Sequence, residues 1–184
     1  MAKTGLLVID MQVGLFEGEP PCHDVDGVVE RINTLACAVR AKGGGVFFIQ
    51  HENDTSYAPG ARLWQLLPTL DHQPEDVYVG KTACDCFYRS DLEKVLRERG
   101  IDRLLVTGCA TELCVDTTIR VAASKDYEIA VASDGHTTKD RPCLKAEAII
   151  AHHNWVWSIL LIPGRPVKVV PTSGALSTLA LSAL

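Results

Sequence analysis

Three residues of this 184-residue chain have types and positions that suit nucleophilic chemistry: Asp10, Lys81 and Cys114. Asp10 follows the apolar run Leu6-Leu7-Val8-Ile9, and Lys81 follows Val77-Tyr78-Val79-Gly80. Cys114 closes Gly108-Cys109-Ala110-Thr111-Glu112-Leu113-Cys114, just beyond Leu104-Leu105-Val106. A thiol attacks a carbonyl carbon when a base takes its proton and a positive charge steadies the thiolate. An acid, an amine and a sulfur at three strand ends supply that set. If Thr111 caps the next helix, Cys114 falls in the first turn, where unpaired N–H groups lower a thiol pKa and could hold an oxyanion. Each residue alone also has an ordinary explanation. A free cysteine is commonly buried, Asp10 could cap a turn, and Lys81 could be a solvated surface lysine. A lone carboxylate at the end of a buried strand nevertheless needs a partner, which Lys81 could provide.

Positioning those residues requires strands and helices in alternation. Residues 6–9, 46–49 and 104–106 are apolar on both faces, the pattern of parallel strands covered by helices, and residues 77–79, 128–132 and 167–170 are weaker strands. Residues 25–42 and 90–99 show apolar positions at helical spacing and end at Gly43-Gly44-Gly45 and at Gly100, where a helix terminus tolerates left-handed backbone. Two further helices are expected at 112–124 and 142–153, the second with Pro142 in its first turn. The alternation predicts one α/β domain over residues 1–184: three layers, α/β/α, on a six-stranded parallel sheet of Rossmann-like type. Residues 52–76 read as a long binding loop, and residues 173–184 as a terminal helix or a flexible tail. In such a sheet ligands bind beyond the carboxyl ends of the strands. The aromatic and polar residues there, Gln12, Phe16, His51, Tyr57, Trp64 and Phe87, are the candidate substrate contacts, while Trp155 and Trp157 are expected to cover the sheet or a subunit contact.

Several chemistries are excluded or weakened. The formal net charge is −5, with 18 Lys+Arg against 23 Asp+Glu and no basic cluster, so nucleic acid is not an expected partner. No phosphate-cradling glycine motif is present, which removes most support for nucleotide chemistry. No stretch approaches a membrane span or a secretory apolar region, so a cytoplasmic location is expected. The seven cysteines are then expected to be reduced. Neither Cys84-Asp85-Cys86 nor the Cys109/Cys114 pair has the spacing of a zinc site or a redox dithiol, so no metal is expected from them.

Four blocks together carry a family resemblance. They are Leu7-Val8-Ile9-Asp10-Met11-Gln12, Gly80-Lys81 with Phe87, Ser90 and Leu92, residues 108–115 with Thr118, Arg120 and Ala122, and Ser133-Asp134-Gly135-His136-Thr137-Thr138. In these the chain resembles the isochorismatase-like cysteine hydrolases, over nearly its whole length to Pro171. The resemblance implies a Cys-Asp-Lys triad on Cys114, Asp10 and Lys81. It further implies a cis peptide between Cys109 and Ala110, an oxyanion hole from the Ala110 and Cys114 N–H groups, no required cofactor, and a homo-oligomer. The implied activity is hydrolysis of a C–N bond in a small amide, carbamoyl or cyclic amide through a thioester. Alternatives are vinyl-ether hydrolysis of isochorismate, which does not depend on a thiol, and a non-catalytic binding module with a vestigial site. The metal-binding nicotinamidase branch shows Asp-x-His after the second strand. Here that position reads Ile49-Gln50-His51, which argues against nicotinamidase activity.

Overall fold

The computed structural model describes residues 3–181. Its strands are β1 (Lys3–Ile9), β2 (Gly45–His51), β3 (Val77–Lys81), β4 (Ile101–Cys109), β5 (Glu128–Thr137) and β6 (Lys168–Val170). They form one sheet in the order β3-β2-β1-β4-β5-β6, with every pairing parallel. The helices are α1 (Val13–Phe16), α2 (Val25–Ala41), α3 (Leu92–Glu98), α4 (Asp116–Ser124), α5 (Ala146–Ser158) and α6 (Thr172–Leu181). A one-turn π-helix, Thr111–Val115, leads into α4.

Strand alternation builds the core in two halves. Leu7 and Ile9 of β1 face one side, with Phe47, Ile49, Leu92, Leu96, Ile119 and Trp157, whereas Leu6 and Val8 face the other, with Phe48 and the α2 residues Val28, Ile32, Leu35 and Val39. Both faces of β1 are therefore dry, and its carboxyl end delivers Asp10 into the protein interior. The strand order reverses between β1 and β4, so Asp10 and the segment after Cys109 emerge side by side at the switch point where α/β sheets bind ligands. Gly108 makes that adjacency possible. Its φ is +122°, and a Cβ there would lie 2.1 Å from the Ile9 carbonyl oxygen, so no other residue type fits between the two strands.

All six expected strands are present, and the order of helices and strands is as read from the pattern. The differences are local. The expected helix at 142–153 starts instead at Ala146, because Arg141 and Leu144 close a turn through reciprocal backbone hydrogen bonds and the Asp140 carboxylate accepts from the Ala146 N–H at 2.9 Å. Pro142 lies in that turn and not in the helix. Thr111 is the first residue of the π turn and not its cap; the flanking position is Ala110. The stretch 52–76 contains a single 3₁₀ turn, Arg62–Trp64, among the described residues. The expected tail forms α6, whose Ala175 and Leu179 are buried against the α2 side of the sheet; residues 182–184 lie outside the described residues. Trp157 is fully buried, while Trp155 is 59% exposed. Among the described residues, no helix is long and apolar enough to cross a membrane.

Candidate active site

Asp10, the carboxyl end of β3 and the π turn after β4 converge on one point. The Asp10 backbone has φ of 50°, a left-handed geometry that aspartate tolerates better than most residues, and its N–H donates to the Ile49 carbonyl at 2.9 Å. Lys81 ends β3, so its side chain follows the register of a buried strand and is only 1% exposed. Its ammonium has three N–H donors, and all are used: Asp10 Oδ2 at 2.7 Å, Cys114 Sγ at 3.3 Å and the Ala83 carbonyl at 3.0 Å. Asp10 Oδ1 is buried and has no hydrogen-bond partner among the described residues, which leaves one carboxylate oxygen for a proton or a substrate group. The peptide bond between Cys109 and Ala110 is cis.

Burial alone would push the Lys81 ammonium down, but the Asp10 carboxylate outweighs it and holds Lys81 above its ordinary range. Cys114 moves against the expectation drawn from its helix turn. Burial first, and the Asp10 charge second, raise the thiol well above its usual value; the Lys81 charge opposes them without prevailing. The resting sulfur is therefore a thiol, and the dipole of a single turn does not overcome a neighbouring carboxylate.

A cleft of about 500 Å³ opens over this point, lined by Asp10, His51, Thr82, Ala83, Cys84, Ala110, Leu113, Cys114, Lys139 and Arg141. Of the expected substrate contacts, His51 is on its wall, with Tyr57 edge-on to its ring at 5.8 Å. Burial and the Lys81 charge lower the His51 pKa, so its ring is neutral near pH 7. The others lie elsewhere. The Gln12 amide is buried and consumed by backbone: it donates to the His51 and Trp64 carbonyls and accepts from the His51 N–H at 2.7 Å. It fixes the loop around His51 and has no donor to spare for a ligand. Phe16 packs on the α2 side of the core, and Phe87 stacks on Tyr127 at 5.9 Å in the opposite half. Trp64 does not line the cleft; its carbonyl also receives the Gln50 amide at 2.9 Å, and its ring N–H is buried without a partner among the described residues. Among the described residues, no group of three or more His, Cys, Asp or Glu side chains is placed to hold a metal ion.

The sequence pattern missed Lys139 and Arg141, which follow directly on the Ser133–Thr138 block that it did single out. It also missed the brace beneath Cys114. The buried His136 ring sits between Thr111 Oγ1 at 2.9 Å and Asn154 Oδ1 at 3.0 Å, while Asn154 Nδ2 donates to the Ser133 carbonyl at 2.8 Å. That orientation makes Asn154 Oδ1 the acceptor. His136 Nε2 therefore carries the proton, and Nδ1 accepts from Thr111 at the start of the π turn. Burial lowers the His136 pKa to about 4. A folded-state value below the unfolded one near 6.5 means that the unfolded chain binds the extra proton first. This stability is complete above about pH 6.5 and is lost as pH falls toward 4, at a total cost of about 3 kcal/mol. Urea unfolding of the wild type and of His136→Gln across pH 7 to 4 should show that extra slope in the wild type alone; parallel curves would refute the buried neutral ring.

A family profile described as the isochorismatase domain matches residues 4–153. Streptothricin hydrolase of Streptomyces noursei is 28% identical over 180 residues, which is 92% of this chain and 69% of that protein. Ureidoacrylate amidohydrolase RutB of Pseudomonas syringae pv. syringae is 30% identical over 171 residues, 72% of this chain and 69% of that one. A crystal structure of an isochorismatase family protein superposes with a TM-score of 0.84 at 32% identity, over 91% of this chain and 97% of that chain. With the profile covering most of its length and this sheet order beneath its cleft, the chain belongs to the isochorismatase-like hydrolase family.

Proposed function

We propose that the protein is a cysteine amidohydrolase that cleaves a C–N bond of a small amide, carbamoyl or cyclic amide substrate through a thioester. The observation that carries this reading is the contact of Lys81 Nζ with both Asp10 Oδ2 and Cys114 Sγ, at 2.7 Å and 3.3 Å, where the buried Asp10–Lys81 pair meets a half-buried thiol at the cleft.

On this reading each residue has a task. Asp10 takes the thiol proton, which moves one negative charge from oxygen to sulfur. Both atoms neighbour the same ammonium, so the ion pair is exchanged without being lost, and the high resting pKa of Cys114 is no obstacle. The sulfur attacks the carbonyl carbon, and the N–H groups of Ala110 and Cys114 serve the developing oxyanion. Asp10 returns its proton to the departing nitrogen, the C–N bond breaks, and a thioester remains. Water, deprotonated by Asp10, then adds to the thioester carbon and releases the acid product and the thiol. Relatives named for streptothricin and ureidoacrylate hydrolysis support hydrolytic chemistry on nitrogen-containing substrates. Vinyl-ether hydrolysis has no use for a thiol held against an acid and an ammonium, so the site favours the amide reading.

The test is a screen for ammonia release across small primary amides, ureido compounds and cyclic amides, with Cys114→Ala as the control. Release by the wild type and not by the variant is expected. Equal release by both would remove the thioester route.

A further inference from the structure

Four of the seven cysteines, Cys22, Cys84, Cys109 and Cys114, line the cleft, and the chemistry above uses only Cys114. Two of the others are in contact. The Cys22 and Cys109 thiols are hydrogen-bonded to each other at the cleft wall, where both residues are buried. They are far apart in sequence, so no spacing or motif marks them. A shared scaffold brings them together. Cys109 ends β4 in register with Thr137 of β5, and the chain at Cys22 is fastened to the same segment. Cys22 bridges Lys139, the His23 N–H donates to the Thr138 carbonyl at 2.9 Å, and Thr137 Oγ1 donates to the His23 carbonyl at 2.5 Å. Both backbones are therefore held on residues 137–139, and the meeting of the two sulfurs is built into the fold.

The two thiols are unequal. Cys22 is lowered, by its hydrogen bond with Cys109 first and then by the Lys139 and Arg141 charges, against the opposing effect of burial. Cys109 is raised by the same hydrogen bond and by burial, and Cys114 by burial and the Asp10 charge. A lowered thiol open to a cleft, with a protonated thiol donating to it, suits oxidation in two steps: the first sulfur attacks the oxidant and the second resolves the product.

We infer that Cys22 and Cys109 form a peroxide-reactive dithiol, which oxidises to a reversible disulfide and spares Cys114. The Cys22 thiolate attacks one oxygen of hydrogen peroxide and the O–O bond breaks. The departing hydroxide takes up the proton that Cys22 released and leaves as water, and Cys22 becomes a sulfenic acid. The Cys109 sulfur then displaces the hydroxyl group, which departs with the Cys109 proton as a second water while the S–S bond forms. The two sulfurs lose two electrons and the peroxide gains them. A small thiol reductant returns both residues to thiols by exchange. This chemistry needs no amide substrate, so its test is independent of the amidohydrolase reading.

The wild type and Cys22→Ser are each exposed to one equivalent of hydrogen peroxide, and free thiols are then capped with iodoacetamide in urea. Cleavage after glutamate separates Cys109 from Cys114 at Glu112, and the peptides are mapped by mass spectrometry. In the wild type a Cys22–Cys109 linked peptide, abolished by dithiothreitol, should form at least tenfold faster than Cys114 is oxidised. In Cys22→Ser, Cys109 should remain a capped thiol and oxidation of Cys114 should rise several-fold. The wild-type map needs no variant to fold, and Cys109→Ser adds a second check, since Cys22 should then stop at a sulfenic acid that dimedone traps. No linked peptide, a disulfide that includes Cys114, or Cys114 oxidised as fast as Cys22 would each overturn the inference, as would unchanged oxidation of Cys114 in Cys22→Ser.

Discussion

Replacing Cys114 by alanine is expected to lower turnover by roughly 10⁴-fold or more while changing folding stability by less than about 1 kcal/mol. The two effects separate because of where the sulfur sits. It is only partly buried, packed at the margin of the core half that holds Val115 and Ile119, and no fold-bearing hydrogen bond depends on it. Its contact with Lys81 is one of three that the ammonium makes, and the shorter one, to Asp10, survives the substitution. The catalytic loss is large because no neighbouring group can replace a thiol at that point: Cys109 is buried and held well above the ordinary thiol range by its hydrogen bond with Cys22 and by burial, and Cys84 is exposed at the rim. Ammonia release and thermal unfolding measured on the same preparation check both halves. A variant that keeps wild-type turnover would disprove the nucleophile, and one that loses its fold would leave the kinetic result without force.

What could be read from the residues, and what could not, follows from the range of the interactions involved. β1, β2 and β4 are runs such as Leu6-Leu7-Val8-Ile9, apolar on both faces because both faces are covered, so their existence and parallel arrangement are local properties of the chain. Strand ends locate Asp10, Lys81 and Cys114 at one edge of the sheet for the same reason. The direction of a side chain in a loop is a different matter. Phe87 lies a few residues beyond Lys81 and belongs to a site motif, yet it stacks on Tyr127, a partner that no local pattern reveals. Gln12 lies two residues beyond Asp10, yet its amide is spent on the carbonyls of His51 and Trp64. The sign of the Cys114 shift was equally hidden. Position in a helix turn is a local fact and argues for a lowered pKa. Burial and the Asp10 charge come from residues distant in sequence and outweigh it. Lys139 and Arg141 gave a weaker signal, two cations separated only by Asp140, and their place on the cleft wall depends on the fold around them.

Breaking the buried ion pair from one side and then from both should distinguish catalysis from stability most sharply. Asp10→Asn leaves the Lys81 ammonium, whose side chain is 0% exposed, without its counter-charge, and Lys81→Met leaves the Asp10 carboxylate, 1% exposed, in the same position. Each single variant is expected to lose about 3–5 kcal/mol of stability, because an uncompensated buried charge costs more than the pair contributes. The double variant Asp10→Asn/Lys81→Met contains no buried charge at that point, so it should recover most of the loss. The coupling between the two sites should therefore be large and favourable in urea unfolding. Turnover should behave in the opposite way. All three variants should fall by roughly 10³-fold or more, since restoring electrical neutrality restores neither the proposed base for the thiol proton nor the ammonium that faces the sulfur. A double variant as unstable as the sum of the singles would show that the two charges do not depend on each other in the fold. Activity returning along with stability would show that the pair supports the structure and has no direct part in the reaction.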